Sequence, residues 1–204
     1  MRKITYTVNF AFISSNESSN DLEKEIFIKY LKKIAIESNL GEISNSNEDP
    51  LEFLIIFKEI PIRIRVYSSN SFNNIRDQYA KIPNIDVVVI VFNILNLDLI
   101  NSLNTQFFEE LISEFSFTNG ISVLAGVNLE DDTSNEKVHI SRESIIKKAK
   151  EFEVLYTYEI RKNEEDISQL FEKILNDFIL KFHYSSPELF ELAKLYGKEL
   201  LERS

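Results

Sequence analysis

The sequence predicts an α/β protein built on a doubly wound, mostly parallel six-stranded sheet, with an extra helix at the C-terminal end. Three observations carry this. Strand-like and helix-like segments alternate along the chain, the arrangement that specifies a largely parallel sheet. The segment from Ile85 to Ile94 (IDVVVIVFNI) is almost wholly apolar, as a central strand covered on both faces must be. The chain has 204 residues, 44% hydrophobic and 27% charged, enough for one sizeable core. At about 150 residues per domain, that length gives one domain with an elaboration. The expected division is a domain over 1–183 and a helical extension over 184–204.

The elements follow in order. Lys3 to Ser14 alternates and is rich in β-branched and aromatic residues, as a first strand is. Asp21 can cap a helix ending near Glu37, in which Ile26, Phe27, Tyr30, Leu31 and Ile34 recur at three- and four-residue steps. Leu51 to Ile60 and Ile62 to Tyr67 read as an antiparallel hairpin with its turn around Glu59 to Pro61. Phe72, Ile75, Tyr79 and Ile82 give a weak helical period before Pro83. After the central strand come a helix over 99–117, a strand over 121–127, a helix over 141–152 capped by Ser141, and a strand over 154–160. An amphipathic helix spans 167–182. A last helix opens at Ser186-Pro187, a cap followed by proline at the first helical position, with the stripe Leu189, Ala193, Tyr196 and Leu200.

Composition removes several functions. Lys+Arg number 23 against 33 Asp+Glu, and the resulting charge of −10 repels phosphate backbones and anionic lipid, so nucleic acid is not an expected partner. The chain has no Cys, which excludes disulfides, thiolate metal sites, cysteine nucleophiles and lipid anchors on sulfur. The N-terminal stretch lacks the continuous apolar core of a signal peptide, and the longest apolar run, Ile85 to Leu95, is interrupted by Asp86 and Asn93. A cytoplasmic protein without a membrane anchor is expected. His139 and His183 stand far apart and beside no acidic cluster, Glu130-Asp131-Asp132 reads as a solvated loop, and no GxSxG elbow exists. No catalytic residue, metal site or cofactor is expected.

The order β-α-β-β, then β-α-β-α-β-α after the segment around Phe72 to Ile82, resembles the Ras-like small GTPases, especially the Rab-like branch. YAKIPNIDVVVIVFNI is similar to the Rab stretch in which a helix ends, an Asp precedes an apolar strand, and the strand closes on aromatic-Asp-Ile; Phe92-Asn93-Ile94 stands there. ISRESIIKKAKEF and EEDISQLFEKILNDFI resemble the family's last two helices. The resemblance covers about residues 3 to 182 and implies the small-GTPase (P-loop NTPase) type of sheet.

The nucleotide motifs of that family are degraded. A phosphate-binding loop GxxxxGK[ST] needs Gly so that backbone N–H groups can turn toward phosphate, Lys to neutralise it, and a hydroxyl for magnesium. Here SSNESSNDLEKEIF stands in its place, and no Gly occurs in the first forty residues. Lys24 falls near the family Lys, flanked by Glu23 and Glu25, and is expected on a solvated helix face; it is the best residual candidate for nucleotide binding. Each carboxylate facing a polyphosphate at contact distance would cost on the order of 4 kcal/mol at an effective dielectric of about 20. The DxxG that ends the family's third strand becomes VYSSNSF, with Tyr67 or Ser68 at the Asp position and Asn70 or Ser71 at the Gly position. LAGVNLEDD replaces the guanine-reading NKxD, and Ile160-Arg161-Lys162 replaces SAK.

The expected function is therefore a pseudo-GTPase: an interaction or regulatory module that does not hydrolyse GTP. The alternative is a divergent nucleotide-binding switch in which Lys24 and the Ser18-Ser19 hydroxyls still hold phosphate. The partner would be a protein, another GTPase-like or regulatory subunit being one candidate, and its contact surface the apolar row Phe72, Ile75 and Tyr79. Phe72→Ala combined with Tyr79→Ala tests that surface: association should be lost while the melting temperature stays nearly constant. Core packing would instead cost about 3 kcal/mol or more.

Overall fold

The computed structural model describes residues 3–14, 22–37, 50–69, 84–94, 109, 117, 120–128, 140–161 and 164–203. Their strands are β1 (Tyr6–Ser14), β2 (Leu51–Phe57), β3 (Ile60–Ser69), β4 (Val87–Asn93), β5 (Ile121–Val127) and β6 (Tyr156–Ile160). Their helices are α1 (Leu22–Glu37), α2 (Arg142–Glu151), α3 (Glu164–Ser185) and α4 (Pro187–Arg203). The strands form one sheet in the order β2-β3-β1-β4-β5-β6, parallel except for the β2–β3 pair.

β1 is hydrogen-bonded on both sides, with Phe10 opposite Val66 of β3 and Val87 of β4. Because side chains alternate along a strand, it feeds two cores. Val8, Phe10 and Phe12 face the core under α1 and α3, where Phe27, Leu31, Phe171 and Ile174 are buried. Ala11 and Ile13 face the other, with Val88, Ile90, Leu124 and the α2 residues Ile145 and Ala149. β4 is buried along nearly its whole length, as its unbroken apolar run requires.

The fold-class expectation is corrected at this point. The described residues give one six-stranded, mostly parallel sheet with one antiparallel pair and four helices. The cores show α1, α3 and α4 contributing to one face and only α2 to the other. The helix expected around 72–82 lies outside the described residues, as does that over 99–117 apart from Glu109 and Phe117. The architecture thus stands as a mixed α/β sheet, and its assignment to the small-GTPase type is withdrawn.

Element boundaries differ in instructive ways. β6 begins two residues later than expected and alternates half-buried with exposed positions, as an edge strand does. α3 begins three residues early, where Glu164, Glu165 and Asp166 complement the positive helix N-terminus. Ser141 caps α2, its hydroxyl oxygen accepting the Ser144 N–H at 3.2 Å. The β2–β3 turn is not at Glu59 to Pro61 but at Lys58-Glu59, both with positive φ (49° and 67°). Such a two-residue turn matches strand twist and ordinarily uses Gly or Asn.

Two helices hold this turn. Lys58 Nζ donates to Asn176 Oδ1 on α3 at 2.6 Å. Lys194 and Lys198 of α4 place their Nζ atoms 3.8 and 3.5 Å from the Glu59 carboxylate. Gly197 lets α4 come close enough: a Cβ there would lie 1.8 Å from the Glu59 carbonyl oxygen. The expected α4 stripe is consequently displaced. Ala193 and Gly197 are the buried residues, whereas Leu189 is 44% exposed. Gly197→Ala separates helix propensity from packing. Propensity alone would add about 1 kcal/mol of stability. The clash reverses the sign, with an expected loss of roughly 2 kcal/mol and a fall in melting temperature of about 4–8 °C, measurable by thermal denaturation.

Candidate functional site

In open α/β sheets, ligands bind outside the carboxyl ends of the strands, where the strand order reverses. Here that point lies between β1 and β4, whose chains continue toward opposite edges of the sheet. β1 ends at Ser14 and β4 at Asn93, with Ser14 in register with Val91. β5 ends beside Asn128, whose N–H donates to the Ile160 carbonyl at 2.9 Å. α1 follows β1 and brings Lys24 in its first turn. Ser14 (7% exposed) and Lys24 (4%) are the buried polar residues among those described. Ser14, Lys24, Asn93 and Asn128 all have interaction partners.

Lys24 is not on a solvated face, which corrects the expectation for it. The buried residues of α1 are Lys24, Phe27, Leu31 and Ala35, spaced three and then four residues apart, so Lys24 continues the apolar stripe toward the sheet edge. Glu25 turns outward instead, its carboxylate 3.2 Å from Lys29 Nζ. Its charge is thereby partly offset by that of Lys29.

Two positions that the resemblance aligned with nucleotide motifs, Tyr67 and Ile160, are filled by packing. Tyr67 is 3% exposed and belongs to the α2-side core. Ile160 is wholly buried, while Arg161 is exposed, its Nε 3.8 Å from a Glu159 carboxylate oxygen and its N–H donated to Asp166 at 3.1 Å. His183 is exposed near the end of α3, with its ring edge-on to Phe190 at 4.8 Å. Phe72, Ile75 and Tyr79, like Ser18, Ser19, Asn70, Ser71, Glu130 to Asp132 and His139, lie outside the described residues. Among the described residues no three His, Asp or Glu side chains are grouped to hold a metal ion. No described helix is long and apolar enough to cross a membrane.

Two polar clusters were not foreseen. On the α3–β6 surface, the Tyr156 hydroxyl donates to Asp177, and Lys173 lies 3.5 Å from the same carboxylate. Burial and that hydrogen bond push the Tyr156 phenol up to about 12, so it stays protonated at neutral pH and serves as a donor rather than a base. The i, i+4 spacing of Lys173 and Asp177 was its one sequence signal. The other cluster closes the amino end of the β1–β4 pair. Asp86 Oδ2 accepts the Asn9 N–H at 2.9 Å, the Asp86 N–H donates to the Asn9 carbonyl at 3.0 Å, and Asn9 Nδ2 donates to the Asn84 carbonyl at 3.0 Å.

No protein-family model matches the chain, and no curated protein matches it either. The chemistry of the candidate edge must accordingly be judged from its own residues. Lys24, Ser14, Asn93 and Asn128 carry groups of the kind that hold anions, and they stand at or beside the ends of the elements that meet this edge.

Burial raises the Asp86 pKa above its ordinary 3.8, overcoming the opposing hydrogen bonds from Asn9 and the attraction of Lys181. The folded state then binds the proton more tightly than the unfolded one, so ionised Asp86 subtracts stability at neutral pH and that loss is recovered as pH falls toward 3.8. Asp86→Asn keeps an acceptor for the Asn9 N–H without the charge. Urea unfolding should show this variant gaining on the parent at pH 7, with the gain shrinking as pH falls through the raised pKa.

Proposed function

We propose that the chain acts as a pseudo-GTPase in the functional sense: a cytoplasmic protein-interaction or regulatory module that does not hydrolyse GTP. The observation that carries this reading is the packing of the carboxyl edge. The chain has no Gly in its first forty residues, where a phosphate loop needs glycine backbone, and it buries Tyr67, at one of the two positions aligned with the metal-orienting Asp, and Ile160, aligned with the Ser of SAK. Bulky apolar side chains at those positions support a scaffold that works through its surface.

One observation favours the alternative, a divergent nucleotide-binding switch. Lys24 is buried in the first turn of the helix that follows β1, at the carboxyl edge where open α/β sheets bind ligands, and it already has an interaction partner within the chain. The two readings separate in one experiment. Protein purified without added nucleotide is denatured, and the supernatant is chromatographed for guanine nucleotides; fluorescent GDP with magnesium is titrated in parallel. The module should release none and bind none at micromolar concentration. Stoichiometric guanine nucleotide would overturn it, and Lys24→Met should then abolish the binding.

A further inference from the structure

α1 and α3 run side by side over one face of the sheet, and the seam between them holds two successive depressions. The first, of about 310 Å³, has Ile26, Tyr30 and Ile167 as its floor and Lys29, Lys33, Arg161 and Glu164 at its rim. The second, of about 340 Å³, is lined mainly by Ile34, Ile55, Phe57, Phe171, Leu175 and Leu201, with Ser168 and Glu172 as its polar members. Tyr30 borders both. Residues from the earlier turns of each helix line the first depression and residues from the later turns line the second. The two thus form one groove with a cationic end and an apolar end.

We infer that this groove binds a free long-chain carboxylate, with its head at Lys29, Lys33 and Arg161 and its alkyl tail against Ile34, Phe57, Phe171 and Leu201. Charge complementarity selects the head. In a chain of net charge −10, two lysines of α1 and the arginine that follows β6 meet at one end of an apolar seam, outnumbering the one carboxylate, Glu164, that lines it with them. Each already has a carboxylate nearby: Glu25 lies 3.2 Å from Lys29, Glu159 lies 3.8 Å from Arg161, and Glu164 pairs with Lys33. These are exposed surface pairs, which hold little and can exchange one carboxylate for another. Shape selects the tail. From Ile26 to Ile34 the groove follows α1 for about 12 Å, the length of an extended alkyl chain rather than of a compact anion, at a rise of about 1.5 Å per residue. Each depression lies at the small end of the range for small-molecule pockets. The floor is also rigid, because Tyr30 stacks on Phe171 with ring centroids 5.4 Å apart.

The test is calorimetric titration of the whole chain with sodium dodecanoate below its micelle-forming concentration. Octanoate and dodecyltrimethylammonium are titrated alongside. Saturable one-to-one binding of dodecanoate is expected, at least tenfold tighter than either, since each methylene removed from water adds affinity and the ammonium head meets like charge. Lys29→Glu with Lys33→Glu should weaken dodecanoate at least tenfold, as should Leu201→Glu at the other end. Melting curves check that the variants fold, with Lys29→Gln and Lys33→Gln replacing the charge reversals if those do not. Absence of saturable binding, equal affinity for the ammonium, or unchanged affinity in the folded variants would overturn the assignment.

Discussion

The structure depends on the two-sided burial of β1. Lying between β3 and β4, this strand has no edge open to water, and both of its faces must be covered. Phe10 and Phe12 stack with centroids 5.8 Å apart on one face. Phe27 of α1 then lies 5.3 Å from Phe12, and Phe171 of α3 lies 5.7 Å from Phe10. Withdrawing each such ring from water contributes roughly 2–3 kcal/mol, which fixes where α1 and α3 rest. The placement of the candidate site follows. Once Phe27 and Leu31 of α1 are seated on β1, helical geometry carries Lys24 inward one turn earlier.

The β2–β3 hairpin shows a second dependence, of local conformation on distant packing. Two non-glycine residues with positive φ are costly, each by about 1 kcal/mol or more relative to right-handed backbone. Nothing in the turn itself offsets that. Lys58 is instead tied to α3, and Glu59 lies under α4 between two lysines, against the bare backbone of Gly197. Helix α4 is therefore part of the fold's support. Its contact uses Ala193 and Gly197 because only small residues allow so close an approach, which leaves larger apolar residues such as Leu195 half exposed.

Much of this was legible in the sequence, where apolar periodicity and burial coincide. The span of β5 is the one its residues predict, and Ser141 is the cap that its position suggests. Legibility failed where tertiary contacts overrode local rules. The turn at Lys58-Glu59 carries no glycine to announce it, and Pro61, which does look like a turn residue, pairs with Ile56 inside the ladder. The α4 stripe named Ala193, which is buried, but missed Gly197, because close approach and not apolar bulk selected that position. Lys24 was assigned by residue type to solvent, although its spacing to Phe27 and Leu31 already placed it on the buried line. The resemblance to small GTPases drew on the order of elements and does not by itself establish a family.

Lys24 is a buried polar residue on a stripe of α1 that is otherwise apolar, and it has an interaction partner within the chain. Holding a polar side chain there costs desolvation that its partner must offset, and its place is the first turn of α1, the positive end of the helix macrodipole. An apolar residue would fill the same stripe without that cost. Asp86, at the other end of the β1–β4 pair, is different: its carboxylate receives the Asn9 N–H and helps to align two strands, so its structural use is visible. Local rules are broken in real proteins mainly at sites where something other than stability is served. On that ground the carboxyl edge, where β1 ends in Ser14 and the first turn of α1 carries Lys24, is the part of the molecule whose chemistry the packing of the cores does not explain.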